Sequence, residues 1–276
     1  MFVLWIEKYF YNPGIFERFI SYALYPIGLL WCLFAKIRRT FAKPIDYHMP
    51  IISIGNLTVG GSGKTPICIA IAKKISKPAI ILRGYKRLSK GLVVVSHFGD
   101  ILCDVKTSGD EAMLYAKELK EALIIVSEDR ILGIQKAKEL GAQIVILDDG
   151  FGKVNIKKFD ILISPNPSPA NTFCIPSGAY RESVSNYKNA DLILKEDIDF
   201  TRDVTILNKT EKMVLVTAIA NPSRLDKFLP AQVTVKRTFP DHYMFEKNEL
   251  KEILEQSGAK SILTTTKDAV KIEHFG

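Results

Sequence analysis

Several short groups of residues in this 276-residue sequence have types and spacings that could do chemistry. The first is Thr58-Val59-Gly60-Gly61-Ser62-Gly63-Lys64-Thr65-Pro66. Its glycines let backbone N–H groups close around an anion, Lys64 can reach terminal phosphates, and the Thr65 hydroxyl can hold Mg²⁺. Pro66 suits the first turn of a following helix, where its missing N–H costs nothing. Loops of this kind carry glycine six positions before the lysine, and here that position is Thr58. The second group is Asp148-Asp149, at the end of the apolar run Ile144–Leu147. A strand ending this way offers a carboxylate to the nucleotide's Mg²⁺.

Other groups stay open between two readings. Asp110-Glu111 follows Gly109 at a helix start and serves either capping or, for a hydroxyl substrate, as a general base with a metal-side neighbour. His242, in Phe239-Pro240-Asp241-His242-Tyr243, is either a loop histidine satisfied by Asp241 or the assistant of a base across a domain cleft. Arg83-Gly84-Tyr85-Lys86-Arg87 is a solvated basic turn or a ligand contact at a strand's carboxyl end.

The elements that must position these groups alternate between strand and helix. Strands are expected at Ile51–Ile54, Pro78–Leu82, Leu123–Ser127, Ile144–Leu147 and Asp160–Ser164, with helices after the phosphate loop, from Gly109 to Lys120 and over Asp129–Leu140. Leu92–Ser96 and Ile101–Val105 read as a hairpin turning at Phe98-Gly99-Asp100. The alternation implies a parallel sheet of the phosphate-loop NTPase type over residues 45–199. A proline-rich passage then carries Ser177-Gly178-Ala179-Tyr180-Arg181-Glu182, a loop that links domains or walls the site. Strands at Asp191–Lys195, Val204–Leu207, Met213–Thr217, Val233–Phe239 and Ser261–Thr265, with helices over Ser223–Leu229 and Lys247–Gln256, suggest a smaller α/β domain over 200–276.

Residues 1–44 form a separate segment. Phe19–Ala35 are 17 consecutive uncharged residues, followed by the basic cluster Lys36, Arg38, Arg39 and Lys43. A helix of that length spans only about 25 Å, marginal for crossing a hydrocarbon core of about 30 Å. The flanking aromatics and the basic cluster favour a membrane-associated helix with the rest of the chain on the cytoplasmic side; a helix packed on the globular domain is the rival, and Pro26 would kink either one. The net charge of +8 suits anionic partners. Cys32, Cys68, Cys103 and Cys174 show no metal-like spacing and read as reduced thiols.

Taken together, GNLTVGGSGKTP (Gly55–Pro66), RGYKR (Arg83–Arg87), GDEAMLYA (Gly109–Ala116), Asp129-Arg130, LDDGF (Leu147–Phe151), PSGAYRE (Pro176–Glu182), AIANPSR (Ala218–Arg224), FPDHY (Phe239–Tyr243) and TTTKDAVK (Thr264–Lys271) resemble the tetraacyldisaccharide 4′-kinases of lipid A synthesis. Thr58 is itself a trait of that family. The resemblance implies an ATP- and Mg²⁺-dependent kinase at the cytoplasmic face of the inner membrane of a Gram-negative cell, phosphorylating the 4′-hydroxyl of an acylated disaccharide 1-phosphate, with no role for nucleic acid. By position it implies that the loop residues Thr58, Gly60, Gly61, Ser62, Gly63, Lys64, Thr65 and Pro66 hold ATP, and that Thr65, Glu111 and Asp149 attend the metal. Asp110 would be the base, supported by His242, with Lys64 and Asp148 in the catalytic set. Arg83, Tyr85, Arg130, Arg181 and Glu182 would meet the lipid substrate or line the site.

Three positions depart from the family pattern: Gly152-Lys153 stand where Gln-His is usual, and Lys86 stands where glycine is common. The alternative readings are a membrane-anchored GTPase or NTPase that acts through partners, for which Asn208-Lys209-Thr210-Glu211 is an imperfect guanine-reading motif, and a non-enzymatic anion-binding module.

Overall fold

The computed structural model describes residues 2–60, 63–219 and 221–275. Two helices come first, α1 (Phe2–Tyr11) and α2 (Ile15–Thr40). The chain then runs β1 (Ile51–Gly55), α3 (Lys64–Ala72), β2 (Pro78–Leu82), β3 (Val93–His97), β4 (Asp100–Ile101), α4 (Val105–Ser108), α5 (Asp110–Glu118), β5 (Leu123–Val126), α6 (Arg130–Glu139), β6 (Ile144–Asp148), β7 (Phe159–Ser164) and β8 (Leu192–Lys195). These eight strands make one sheet in the order β4-β3-β5-β2-β6-β1-β7-β8. Six are parallel, and the β3–β4 hairpin is antiparallel at one edge.

The central strands are apolar at nearly every position, Ser53 and the terminal Asp148 apart, because both faces are covered. Ile54, Ile80, Leu82, Ile124, Val126 and Ile146 face α3 and α5, packing on Cys68, Ala72, Ala112, Tyr115 and Ala116. The alternate residues Ile51, Ala79, Ile81, Leu123, Ile125, Val145 and Leu147 face α6, on Ile134 and Ala137. This period of two fixes the register, so the carboxyl ends of β1, β2, β5 and β6 meet along one rim.

A second, three-stranded parallel sheet follows, ordered β10-β9-β11 from β9 (Met213–Thr217), β10 (Val233–Thr238) and β11 (Ser261–Leu263), with α7 (Lys247–Ser257) and α8 (Thr266–Ile272). Its core joins Val214, Val216, Phe245, Leu250 and Ile253.

Four expectations are corrected. Val204–Leu207 form no strand; Val204 is 49% and Leu207 75% exposed, so neither finds a sheet to complete. Val105 starts α4 instead of ending a hairpin, because the Asp104 side chain caps Thr107 N–H at 2.9 Å. The strand expected at Ser261–Thr265 stops at Leu263, because the Thr265 side chain caps the helix α8 instead. Cys32 and Cys174 are joined in a disulfide across 142 residues, with Cα atoms 5.9 Å apart, whereas Cys68 and Cys103 are free.

Helix α2 settles on the globular part through a narrow stripe of small or paired residues, Glu17, Ser21, Gly28 and Ala35. A β-carbon on Gly28 would meet the Cys174 carbonyl at 2.8 Å, so only glycine allows this approach. The Ser21 and Ser177 hydroxyls each donate to the other's carbonyl, at 2.6 and 2.7 Å. Trp31 Nε1 donates to the Arg181 carbonyl at 2.8 Å, and Arg38 and Arg39 grip buried Glu182. The opposite face exposes Phe16, Phe19, Tyr22, Leu30, Leu33, Phe34, Ile37 and Phe41.

Candidate active site

The phosphate loop runs from β1 into α3 as the residue types require. Gly60 and Gly63 both have positive φ, 101° and 74°, conformations that a side chain resists. Gly61 and Ser62 lie outside the described residues. Thr58 is buried and accepts the Asn56 side-chain N–H at Oγ1, while its backbone bridges to Tyr180. Val59 N–H donates to the Ala179 carbonyl and Arg181 N–H to that of Leu57. The passage carrying Ser177–Glu182 therefore walls the loop. Lys64 donates to Asn56 Oδ1 at 3.0 Å and lies 3.6 Å from Asp149 Oδ1. Thr65 and Pro66 occupy the first turn of α3.

Asp148 ends β6 and Asp149 follows it beside this loop, since β6 pairs directly with β1. Asp148 is buried, with Oδ2 accepting from the Tyr115 hydroxyl at 2.9 Å and Oδ1 without a partner among the described residues. Burial, reinforced by the Glu111 and Asp149 charges, pushes its carboxyl up to about 6, against the pull of Lys64. Asp149 turns outward through a left-handed φ of 56° and meets Arg181 Nη1 at 2.7 Å. Burial raises its carboxyl less than Lys64 and Arg181 lower it, so it stays below the ordinary range.

Asp110 begins α5 and meets a residue from the second sheet's unit. His242 Nδ1 lies 2.9 and 2.8 Å from its two oxygens, with both side chains almost fully buried. His242 is held by a positive φ of 63° and by its N–H on the Ala218 carbonyl, and its ring stands edge-on to Tyr85 at 5.2 Å. Lys267, from α8, lies 3.4 Å from His242 Nε2, 3.4 Å from Glu111 Oε1, 3.3 Å from Asp241 Oδ1 and 3.9 Å from Asp110 Oδ2. Lys271, fully buried, is also 3.9 Å from Asp110 and pairs with Asp268 at 2.6 Å. Burial would raise the Asp110 carboxyl, but the His242 hydrogen bond and these lysines together hold it below the usual range. Burial lowers Lys267 less than the charges of Glu111, Asp110 and Asp241 raise it, so it stays protonated.

The remaining expected residues fall in two sets. Arg83 and Tyr85 stand exposed on the turn after β2, on the same rim. Lys86 adopts φ 58°, which explains why glycine is common there, and donates to the Asp241 carbonyl at 2.9 Å. Arg130 and Glu182 are buried and already engaged. Arg130 donates to the Ser127 and Asp148 carbonyls at 2.6 and 3.2 Å, bracing the end of β6. Glu182 takes Arg38, Arg39 and Asn186. Asn208–Glu211 sit by β11, where Thr210 bonds Ser261 at 2.7 Å and Glu211 pairs with Lys260.

Tyr115 and Lys267 were not assigned from the sequence. Both fall inside motifs that were singled out, GDEAMLYA and TTTKDAVK, but only the folded chain shows their partners. Among the described residues no three His, Cys, Asp or Glu side chains cluster as a metal cage. The open oxygen of Asp148 beside Thr65's helix does fit Mg²⁺, which takes one or two carboxylates and completes its shell from phosphates and water.

Comparison with known proteins shows the family. The family model described as LpxK, tetraacyldisaccharide-1-P 4′-kinase, matches residues 20–210 and 201–276. The tetraacyldisaccharide 4′-kinase of Aliarcobacter butzleri is 51% identical over 279 residues, covering 99% of this chain and 88% of that protein. The enzyme of that name from Helicobacter pylori strain J99 is 50% identical over 268 residues, covering 97% and 86%. A crystal structure of LpxK from Aquifex aeolicus, an "apo" form in complex with ATP, superposes with a TM-score of 0.74 at 27% identity, covering 92% of this chain and 90% of that one. A family model spanning most of the sequence and relatives at half identity over nearly all of it place this chain in the tetraacyldisaccharide 4′-kinase family.

Proposed function

We propose that this chain transfers the γ-phosphoryl group of ATP to the 4′-hydroxyl of a tetraacylated glucosamine disaccharide 1-phosphate. The observation that carries the residue assignment is the Asp110–His242 pair at 2.8 Å, assembled from two separate sheet units on the rim that also carries the phosphate loop. Phosphoryl transfer asks mainly for positioning and charge neutralisation, with one group to accept the hydroxyl proton. Gly60, Gly63, Lys64 and Thr65 hold the triphosphate through backbone N–H groups, an ammonium and a hydroxyl. Gly61 and Ser62 complete that loop in the sequence. Thr65, Asp148, Asp149 and Glu111 are the residues that would hold Mg²⁺, which supplies charge neutralisation at the phosphate oxygens when bound.

Asp110 accepts the hydroxyl proton. It is fully ionised at neutral pH, and His242 orients it and stabilises the pair as the proton arrives. Lys267 keeps the dyad charged and positioned. Arg181 aligns Asp149 and, with it, the phosphate end. Arg83 and Tyr85, exposed beside the dyad, meet the disaccharide. Arg130 and Glu182 support from behind, the former through β6 and the latter through α2. We take residues 1–44, 45–199 and 200–276 as the membrane-seeking, nucleotide-binding and base-assisting units.

The membrane reading follows from α2. Its contacts with the globular part run from Ser21 to Arg39, 18 residues or about 27 Å of helix. A helix docked along that length lies on a bilayer with its exposed apolar face inward, a monotopic arrangement at the cytoplasmic leaflet, where ATP is available. A substrate whose acyl chains are buried in that leaflet can then present its sugars to the rim.

The deciding experiment is transfer of ³²P from γ-labelled ATP to a tetraacyl disaccharide 1-phosphate in mixed micelles. Labelled lipid with wild type and none with Lys64→Ala is the expected result. Nucleotide hydrolysis with no labelled lipid would overturn the assignment of the acceptor.

A further inference from the structure

Two arginines outside the machinery above converge on the phosphate loop. Arg202 lies in the irregular segment between β8 and β9, and its guanidinium fills the space that a β-carbon on Gly63 would occupy. Arg224 comes from the 3₁₀ turn Pro222–Phe228, within the AIANPSR motif. One carboxylate holds both. Glu196, 6% exposed, accepts Arg202 Nε at 2.6 Å and Nη2 at 3.2 Å, and Arg224 Nη2 at 2.7 Å. Each arginine side chain is 24% exposed, so both stay within reach of a ligand. The two guanidinium groups therefore stand side by side next to the loop. Burial, and then the proximity of Arg202, lowers the Arg224 guanidinium.

Their side of the loop matters. Counting outward from β1, the strands β6, β2 and β5 lie one way and carry Asp148 and Arg83, with α5 and Asp110 alongside. The transferring phosphoryl group belongs on that side. The strands β7 and β8 lie the other way, and Glu196 follows β8 directly. A nucleotide whose γ-phosphate faces the carboxylates must run its remaining length past Gly63 toward β8.

Resting on the reading of this loop as an ATP site, we propose that Arg202 and Arg224, set side by side by Glu196, grip the non-transferred end of the nucleotide. They would make charge-assisted bonds to its α-phosphate and stack a guanidinium plane on the base. In this role they are nucleotide-affinity residues.

The test is equilibrium binding of Mg·ATP and Mg·ADP to the full-length protein in detergent, together with steady-state kinetics, for Arg202→Ala, Arg224→Ala and Arg202→Lys. Each alanine variant is expected to bind both nucleotides about 10- to 100-fold more weakly, as loss of a charged hydrogen bond predicts. The KM for ATP should rise in step while the KM for lipid holds. Arg202→Lys keeps the ion pair with Glu196 and should melt like wild type, yet still lose affinity because the planar fork is gone. Folded variants that bind ATP and ADP as tightly as wild type would overturn the inference alone. A loss confined to ATP, sparing ADP, would overturn it by placing the arginines at the γ-phosphate. A wild-type protein that binds neither nucleotide would overturn the ATP reading and this inference with it.

Discussion

Asp110 and Asp148 are both buried aspartates near the rim of one sheet, 6% and 5% exposed, and their carboxyls move in opposite directions. Burial alone raises both. What separates them is company. Asp110 looks across the cleft at His242, Lys267 and Lys271, whereas Asp148 looks along its own rim at Glu111 and Asp149, opposed by Lys64 and the Tyr115 hydroxyl. The cleft is thus an electropositive setting that fixes a carboxylate in its charged form. The floor is an electronegative one that wants a cation to complete it. Elements from two sheets are needed to build the first setting, and one strand end suffices for the second.

The sharpest way to break this contrast is Asp110→Ala. Removing the proposed proton acceptor should cost about 10²- to 10⁴-fold in turnover. ATP binding should persist, and normal turnover would remove Asp110 as the base. Asp148→Asn probes the other half and should cut turnover by about 10²-fold through weakened Mg²⁺ binding. It should also stabilise the fold. A carboxyl raised to about 6 from its ordinary 3.8 favours the folded state below pH 3.8, and that contribution disappears as pH rises through 6. At pH 8 the neutral amide therefore avoids a penalty of roughly 2–3 kcal/mol, read as a higher melting temperature than wild type at pH 8 but not at pH 4. An unchanged difference between the two pH values would show that Asp148 is not the strained group.

Lys267→Met should act on the dyad less severely, lowering turnover about tenfold. Its signature is in the pH profile: with a cation lost, the Asp110 carboxyl rises and the acid limb of the rate moves to higher pH. A limb that stays put would mean that Lys267 has no electrostatic hold on Asp110. Tyr115→Phe should have the smallest effect, at most a few-fold at pH 8, because one neutral hydrogen bond is worth about 1 kcal/mol. Since the Tyr115 hydroxyl stabilises ionised Asp148, its removal should likewise move the acid limb upward, and no movement would dissociate Asp148 from that limb.

Much of the floor was legible in the sequence, because its parts are local. The glycines, Lys64, Thr65 and the apolar run ending in Asp148-Asp149 each announce themselves within a dozen residues. The cleft was not. Asp110 and His242 are 132 residues apart and could each be explained by helix capping or by Asp241 until the resemblance paired them. Lys267 escaped because Thr264-Thr265-Thr266 reads as a β-branched continuation of β11, while the Thr265 side chain in fact caps a helix. The Cys32–Cys174 bond and the Tyr115–Asp148 contact likewise depend on elements that only tertiary packing brings together. Val204–Leu207 failed for the converse reason: a strand-like run forms no strand without a neighbour.

The stripe of Ser21, Gly28 and Ala35 that beds α2 onto the globular part has a kinetic consequence. If α2 lies on the bilayer as proposed, a helix unable to stand away from the body holds the rim at a fixed height and tilt above the lipid plane. Encounters with substrate then happen in two dimensions, governed by molecules per unit area instead of moles per litre. Diluting the lipid with inert detergent at constant bulk concentration should slow the enzyme, while adding more micelles of the same composition should not.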